Sequence, residues 1–146
     1  FGLDGLIHFF DRTPHPIEAD LLTWDIPWPI KPYFYWGNEL LLDQFNILGN
    51  RGITITNTGF YGPQSRFVRA KPQLTDFFDL IENTSIDGYK FSNLEMETSG
   101  LYGLSQLLGH QCISINTILA NRPLGLFSKD PGKAVRKMIK SVLELI

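Results

Sequence analysis

The chain has 146 residues, 43% hydrophobic and 19% charged, with 13 Lys+Arg against 15 Asp+Glu and a formal net charge of −2. That balance fits one globular domain with its own core and excludes a disordered or collagen-like chain. A pI of about 5.9 argues against a dedicated nucleic-acid binder, which needs a basic excess over the phosphates. The single Cys112 excludes an internal disulfide and any multi-cysteine metal centre, and His8, His15 and His110 lack metal-ligand spacing, so no metal is expected.

The chain opens on Phe1 in an apolar segment with no basic stretch before it, which predicts a piece of a longer protein rather than a signal peptide. Residues 6–10 read as the end of a strand, rich in Ile and Phe. Over residues 13–35, Pro14, Pro16, Pro27, Pro29 and Pro32 forbid a long helix or a central strand. Trp24, Trp28 and Trp36 lie in this stretch or at its edge and predict an excursion pinned to the core by aromatics. That reading is preferred to a polyproline ligand at Pro29-Ile30-Lys31-Pro32.

Asn38 is placed to cap a helix over residues 38–48, with Leu41, Phe45 and Leu48 on one face and Gly49 as its stop. Residues 52–58 alternate Ile and Thr as a strand does. Residues 58–66 form a polar, glycine-containing loop, and residues 74–82 a short helix. A turn at Asp87-Gly88 leads into a strand over residues 89–94. Residues 97–108 read as a helix in which Gly100 and Gly103 mark close approach to a neighbour. Residues 112–120 read as a buried strand. Asp130 and Pro131 start a last helix, with Val135, Met138, Ile139, Val142, Leu143 and Ile146 at helical spacing. Its opposite stripe, Lys133, Arg136, Lys137 and Lys140, reads as a solvated face rather than a nucleic-acid contact.

Strands alternating with helices predict an α/β chain, a mixed central sheet flanked by helices, in a single domain over residues 1–146. Residues 98–121 lack Asp, Glu, Lys and Arg over a length that suits a membrane span. Their Ser105, Gln106, Gln111 and Asn116, and the Gly109-His110 break, predict a buried helix and strand instead. The expectation is a cytoplasmic protein with no membrane or nucleic-acid partner, and the lone sequon Asn83-Thr84-Ser85 is taken as chance.

Two segments hold more functional groups than core packing requires. In Gly59-Phe60-Tyr61-Gly62-Pro63-Gln64-Ser65-Arg66, an extended loop would turn Gln64 and Arg66 to one side. Gln offers a donor and an acceptor in one plane and Arg only donors, a set that suits a planar heterocycle with carbonyls and an N–H, while Phe60 offers a stacking face. From this segment alone, an incidental polar surface loop is the better account. In Asn93-Leu94-Glu95-Met96-Glu97, the carboxylates stand where a strand passes into a helix. Such a pair suits glycosidic acid/base work, a divalent metal or sugar hydroxyls, and it also suits a helix N-terminus electrostatically. Spacing alone does not choose among these.

Together with Leu3-Asp4-Gly5 near the start and Ile118-Leu119-Ala120-Asn121-Arg122, these blocks resemble the C-terminal half of the nucleoside phosphorylase family, most closely its uridine-cleaving branch. The resemblance implies a phosphorylase/hydrolase-like fold, no cofactor, inorganic phosphate as co-substrate, and a homo-oligomer, dimer or hexamer. It implies that Gln64 and Arg66 are the catalytic pair and bind the base together with Phe60 and Arg122. It implies a ribose wall of Glu95, Met96 and Glu97, with Glu97 accepting from the hydroxyls. The neutral Asn121 stands where purine-selective relatives carry an aspartate, which implies a pyrimidine. Gly62-Pro63 reverses an order common in the family, and residues 123–128 correspond to a mobile flap in relatives. The family's phosphate motifs belong to its N-terminal half, so this chain is expected to carry the nucleoside half of the site. The expected reaction is phosphate-dependent, reversible cleavage of uridine to uracil and ribose 1-phosphate. The alternatives are a purine phosphorylase or nucleosidase of the same family, or a non-catalytic nucleoside-binding module.

Overall fold

A computed structural model describes residues 1–24, 26 and 28–146, so the Pro27 breaker lies outside the described residues. Four strands form one sheet: β1 (Gly2–Leu3), β2 (Ile53–Asn57), β3 (Ser85–Ile86) and β4 (Tyr89–Glu95), in the order β1-β2-β4-β3. β1, β2 and β4 run parallel, and β3 pairs antiparallel with β4 through the turn at Asp87-Gly88. The chain is therefore α/β around a mixed sheet.

The Ile-Thr alternation of β2 explains its place. β-branched residues favour the pleat, Ile53 and Ile55 are buried, and Thr56 and Asn57 are buried too. That is the pattern of a central parallel strand covered on both faces. The core gathers Ile53 and Ile55 with Phe1, Leu3, Leu21, Phe34, Phe77 and Ile86.

Helix α1 (Ile17–Thr23) lies inside the proline-rich excursion, short as the prolines require. Trp24, Trp28 and Trp36 are half-buried against the core, and the Phe34 and Trp36 rings meet edge-on at 4.7 Å. Pro32 is buried and Tyr33 bridges to Gly2, so the Pro29–Pro32 segment is part of the fold, not a free ligand. A buried ion pair anchors the excursion: Arg12 donates twice to Glu18, at 2.6 and 2.8 Å. Glu18 also accepts from the backbone N–H of Phe34 and of His15.

Helix α2 (Glu39–Gln44) starts where Asn38 Oδ1 accepts from the Leu41 N–H at 3.1 Å, and a 3-10 turn at Asn46–Leu48 follows it. Helix α3 (Phe77–Glu82) packs on β4. Helix α4 (Thr98–Leu107) packs on β2 and on the turn formed by residues 6–9. The close approach expected at its glycines is present: a Cβ on Gly103 would lie 2.6 Å from Ile7 Cδ1, and one on Gly100 2.9 Å from Leu6 Cδ2. Helix α5 (Pro131–Leu143) is capped by Asp130, whose Oδ1 accepts from the Lys133 N–H at 2.8 Å. Its basic stripe is exposed. No helix of the described residues is long and apolar enough to cross a membrane.

Two expected strands are corrected. Residues 6–10 do not end a strand; Leu6–Phe9 is a 3-10 turn. Asp4 Oδ1 accepts from the Leu6 N–H at 2.9 Å and Gly5 adopts φ 74°, which turns the chain immediately after β1. Residues 112–119 join no sheet and are half-buried to exposed rather than buried. Their polar backbone finds other partners: the Ser114 N–H donates to the Tyr102 hydroxyl at 2.7 Å, and the Cys112 carbonyl accepts from the Asn38 N–H. Only Ala120–Asn121 pairs, as β5, with β6 (Leu126–Phe127) in an exposed hairpin.

Candidate functional site

The register aligns the C-terminal ends of the parallel strands, Leu3 opposite Asn57 and Thr56 opposite Glu95. Asp4, the loop from Thr58 to Arg66, and Met96-Glu97 therefore leave the sheet at the same edge. In open α/β sheets this edge is where ligands bind.

The loop is not extended as expected. The Tyr61 carbonyl accepts from the N–H groups of Gln64 and Arg66, at 3.1 and 2.9 Å, and Gly62–Gln64 forms a 3-10 turn. Ser65 follows in the left-handed region at φ 55°. Gln64 is turned inward and is 3% exposed, while Phe60 and Tyr61 stay exposed. The half-buried Arg66 places its guanidinium 3.8 Å from the centre of the Phe60 ring, so Phe60 stacks on Arg66 in this structure. Gln64 and Arg66 are thus positioned by a tight turn, not by alternation.

Arg122 meets this loop from the β5–β6 hairpin. Its Nη1 donates to the Gln64 carbonyl at 2.9 Å, and its guanidinium lies 4.7 Å from the Phe78 ring centre. Burial and the positive charge of Arg66 both push the Arg122 pKa down. The ion pairs among the described residues involve Arg12, Arg51 and Lys140, and neither Arg66 nor Arg122. Arg66 Nε and Arg122 Nη2 are buried without a hydrogen-bond partner, as is Asn57 Oδ1 at the end of β2. Buried donors left unpaired cost about 1–3 kcal/mol each, more when charged. Two guanidinium groups, each with an N–H left unpaired and neither matched by a carboxylate, are suited to an acceptor-rich or negatively charged group.

The carboxylates divide the work. Glu95 Oε1 accepts from the Thr56 hydroxyl, and its Oε2 from the N–H groups of Glu97 and Thr98, both at 2.7 Å. Its oxygens are thus engaged by the protein itself at the start of α4. Glu97 is exposed, takes only the Met96 N–H at 3.2 Å, and keeps acceptor capacity for a ligand; Met96 beside it is 39% exposed.

Behind this wall, the Tyr33 hydroxyl donates to Asp4 Oδ1 at 2.6 Å and lies 2.9 Å from Ser99 Oγ. Burial and the Asp4 carboxylate push the Tyr33 phenol up. The Ser99 N–H donates to Thr56 Oγ1 at 2.9 Å. Sequence reasoning missed Thr56, Tyr33 and Ser99. For Thr56 the available signal was its place near the C-terminal end of the Ile-Thr strand; Tyr33 and Ser99 carried none.

A cavity of about 440 Å³ lies elsewhere, between β2, α4 and residues 113–118, and none of Gln64, Arg66, Met96, Glu97 or Arg122 lines it. Among the described residues no three His, Cys, Asp or Glu side chains gather as a metal site. Asn121 is exposed and its Oδ1 accepts from the Leu124 N–H within the hairpin. Comparison of the chain with protein-family models, with curated proteins and with solved structures finds no match in any of the three.

Proposed function

We propose that this chain holds the nucleoside in a pyrimidine nucleoside phosphorylase of the uridine-cleaving kind. The observation that carries the reading is the pair of half-buried arginines, Arg66 and Arg122, each with one buried N–H left unpartnered and without an acidic partner. Gln64 beside them is buried; its loop follows β2, and Glu97 follows β4, at the edge where the parallel strands end.

Phosphorolysis breaks the C1′–N bond through an oxocarbenium-like state, with phosphate attacking C1′ and the base leaving with negative charge. Donors aimed at that charge lower the barrier. Arg66 and Gln64 are suited to the carbonyl-rich edge of uracil, and Arg122, through the Gln64 carbonyl, to holding the loop against it. Glu97 is suited to accept from ribose hydroxyls. Phosphate is the nucleophile, so the side chains need only bind, orient and stabilise charge. The proposed enzyme is a cytoplasmic homo-oligomer that binds phosphate through a separate tract.

The test is direct: uracil and uridine binding to the chain by calorimetry, together with phosphate-dependent uracil release by the intact protein. Saturable binding of both, lost in Arg66→Ala, supports the reading. Failure of the wild-type protein to bind uracil or uridine rejects it.

A further inference from the structure

We infer that Thr56, on β2, is a positioning residue for the Met96-Glu97 dipeptide, acting through Glu95; the role in ribose binding rests on the function proposed above. The hydrogen-bond directions leave one assignment. A backbone N–H can only donate, so the Thr56 hydroxyl is the acceptor for Ser99 N–H at 2.9 Å. Its own proton then goes to Glu95 Oε1. Glu95 Oε2 takes the N–H groups of Glu97 and Thr98. One fully buried hydroxyl thus joins the central strand to the first turn of α4 and fixes the carboxylate that holds the backbone of Glu97.

The consequence lies in the two residues between. Met96-Glu97 spans from Glu95, where β4 ends, to Thr98, where α4 begins. Both ends of that span are tied to a single carboxylate, and the carboxylate is tied to Thr56. Glu97 itself is exposed, with its side chain held only by the Met96 N–H. The orientation of its free oxygens therefore depends on its backbone, which the Thr56–Glu95 pair sets. Removing the hydroxyl leaves Glu95 one donor short and the buried Ser99 N–H without its acceptor. A hydrogen bond to a charged group contributes enough that about a tenfold effect on the geometry it holds is expected.

The experiment compares wild type with Thr56→Val, which keeps the shape and removes the hydroxyl, and with Thr56→Ser, which restores it. Two readouts are taken. The first, amide hydrogen exchange at Glu97 and Thr98, needs no ligand: about tenfold faster exchange is expected in Thr56→Val, with return in Thr56→Ser and no change at Ile55. Unchanged exchange at Glu97 and Thr98 overturns the positioning role whatever the chain binds, and so does equal acceleration at Ile55, which marks general loosening.

The second readout is affinity for uridine against uracil. Thr56→Val is expected to weaken uridine about tenfold and leave uracil within about twofold, because only the ribose meets Glu97. Equal loss of both ligands, or no loss of uridine, overturns the role in ribose binding. If the wild-type chain binds neither uridine nor uracil, the proposed function fails and the ribose role with it, while the exchange measurement still decides whether Thr56 holds the dipeptide.

Discussion

Arg122 reaches across 58 residues of sequence to donate to the carbonyl of Gln64 at 2.9 Å, which ties the β5–β6 hairpin to the loop that carries Gln64 and Arg66. The bond goes to the backbone, so it sets the path of the loop and leaves the Gln64 amide free to act. Arg122→Lys keeps a charge but loses the planar fork that reaches the carbonyl while lying over Phe78. Under the proposed function, uracil affinity should fall about tenfold in that variant, the effect of one lost charge-assisted hydrogen bond. Calorimetry with uracil checks it; affinity equal to wild type would mean that the hairpin does not support the loop.

Under the proposed function, Arg66→Ala should abolish most turnover of pyrimidine nucleosides, by about a hundredfold to a thousandfold, the usual effect of removing one donor to a developing negative charge. The fold should survive, because the Arg66 guanidinium rests on an exposed ring rather than in the core. Steady-state kinetics on uridine, with a thermal melt beside them, separate the two effects. Normal kinetics would remove Arg66 from base recognition.

Base choice offers a third test. In the proposed function Gln64 and Arg66 meet the carbonyl edge of uracil, and Asn121 is neutral and folded onto its own hairpin turn. A site whose buried donors find no acceptor on the wrong base discriminates strongly, so uridine should exceed inosine and adenosine in kcat/KM by at least about a hundredfold. Side-by-side phosphorolysis of the three nucleosides measures it. Parity, or preference for a purine, removes the uridine assignment.

The buried Arg12–Glu18 pair should dominate acid stability. Burial pushes the Glu18 carboxyl up, but the Arg12 guanidinium and the amides of Phe34 and His15 outweigh it, and the net shift is down. A depressed carboxylate stabilises the fold above its ordinary value, near 4.5, and that contribution is lost as pH falls through the folded pKa. Arg12→Met leaves Glu18 buried without its cation, which should cost about 3–5 kcal/mol at neutral pH. Urea midpoints at pH 7 and pH 4 follow both effects: the gap between wild type and variant should narrow in acid, where Glu18 in the variant is already protonated. A gap that widens would contradict the pair's role.

Gly103→Ala sets propensity against packing. Alanine gains about 1 kcal/mol over glycine inside a helix. Here its Cβ would meet Ile7 Cδ1 at 2.6 Å and the Tyr35 ring at 3.0 Å. Ile7 is fully buried and has little room to yield, so overpacking of about 1–3 kcal/mol should win. A lowered melting temperature is expected; a raised one would show that Ile7 repacks freely.

Local chemistry was legible in the sequence because its partners lie within a few residues. The Asn38 and Asp130 caps, the Ile-Thr alternation and the turn at Asp87-Gly88 express short-range rules and stand in the fold, whereas Gly100 and Gly103 announced a close approach without naming Leu6 and Ile7 as the neighbours. Residues 6–10 and 112–120 carried equally strand-like composition, yet a strand exists only where a neighbour completes its ladder, and none does so for residues 6–10 and 112–119. The candidate site divides in the same way. Gln64, Arg66 and the two glutamates could be singled out by type, but which lone pairs and N–H groups remain free depends on donors from other elements. Thr56 on β2 engages Glu95 on β4, and Arg122 on the hairpin holds the Gln64 backbone. Those meetings are made by sheet register and helix packing, and only the tertiary structure shows that Glu97, and not Glu95, faces outward with acceptors to offer.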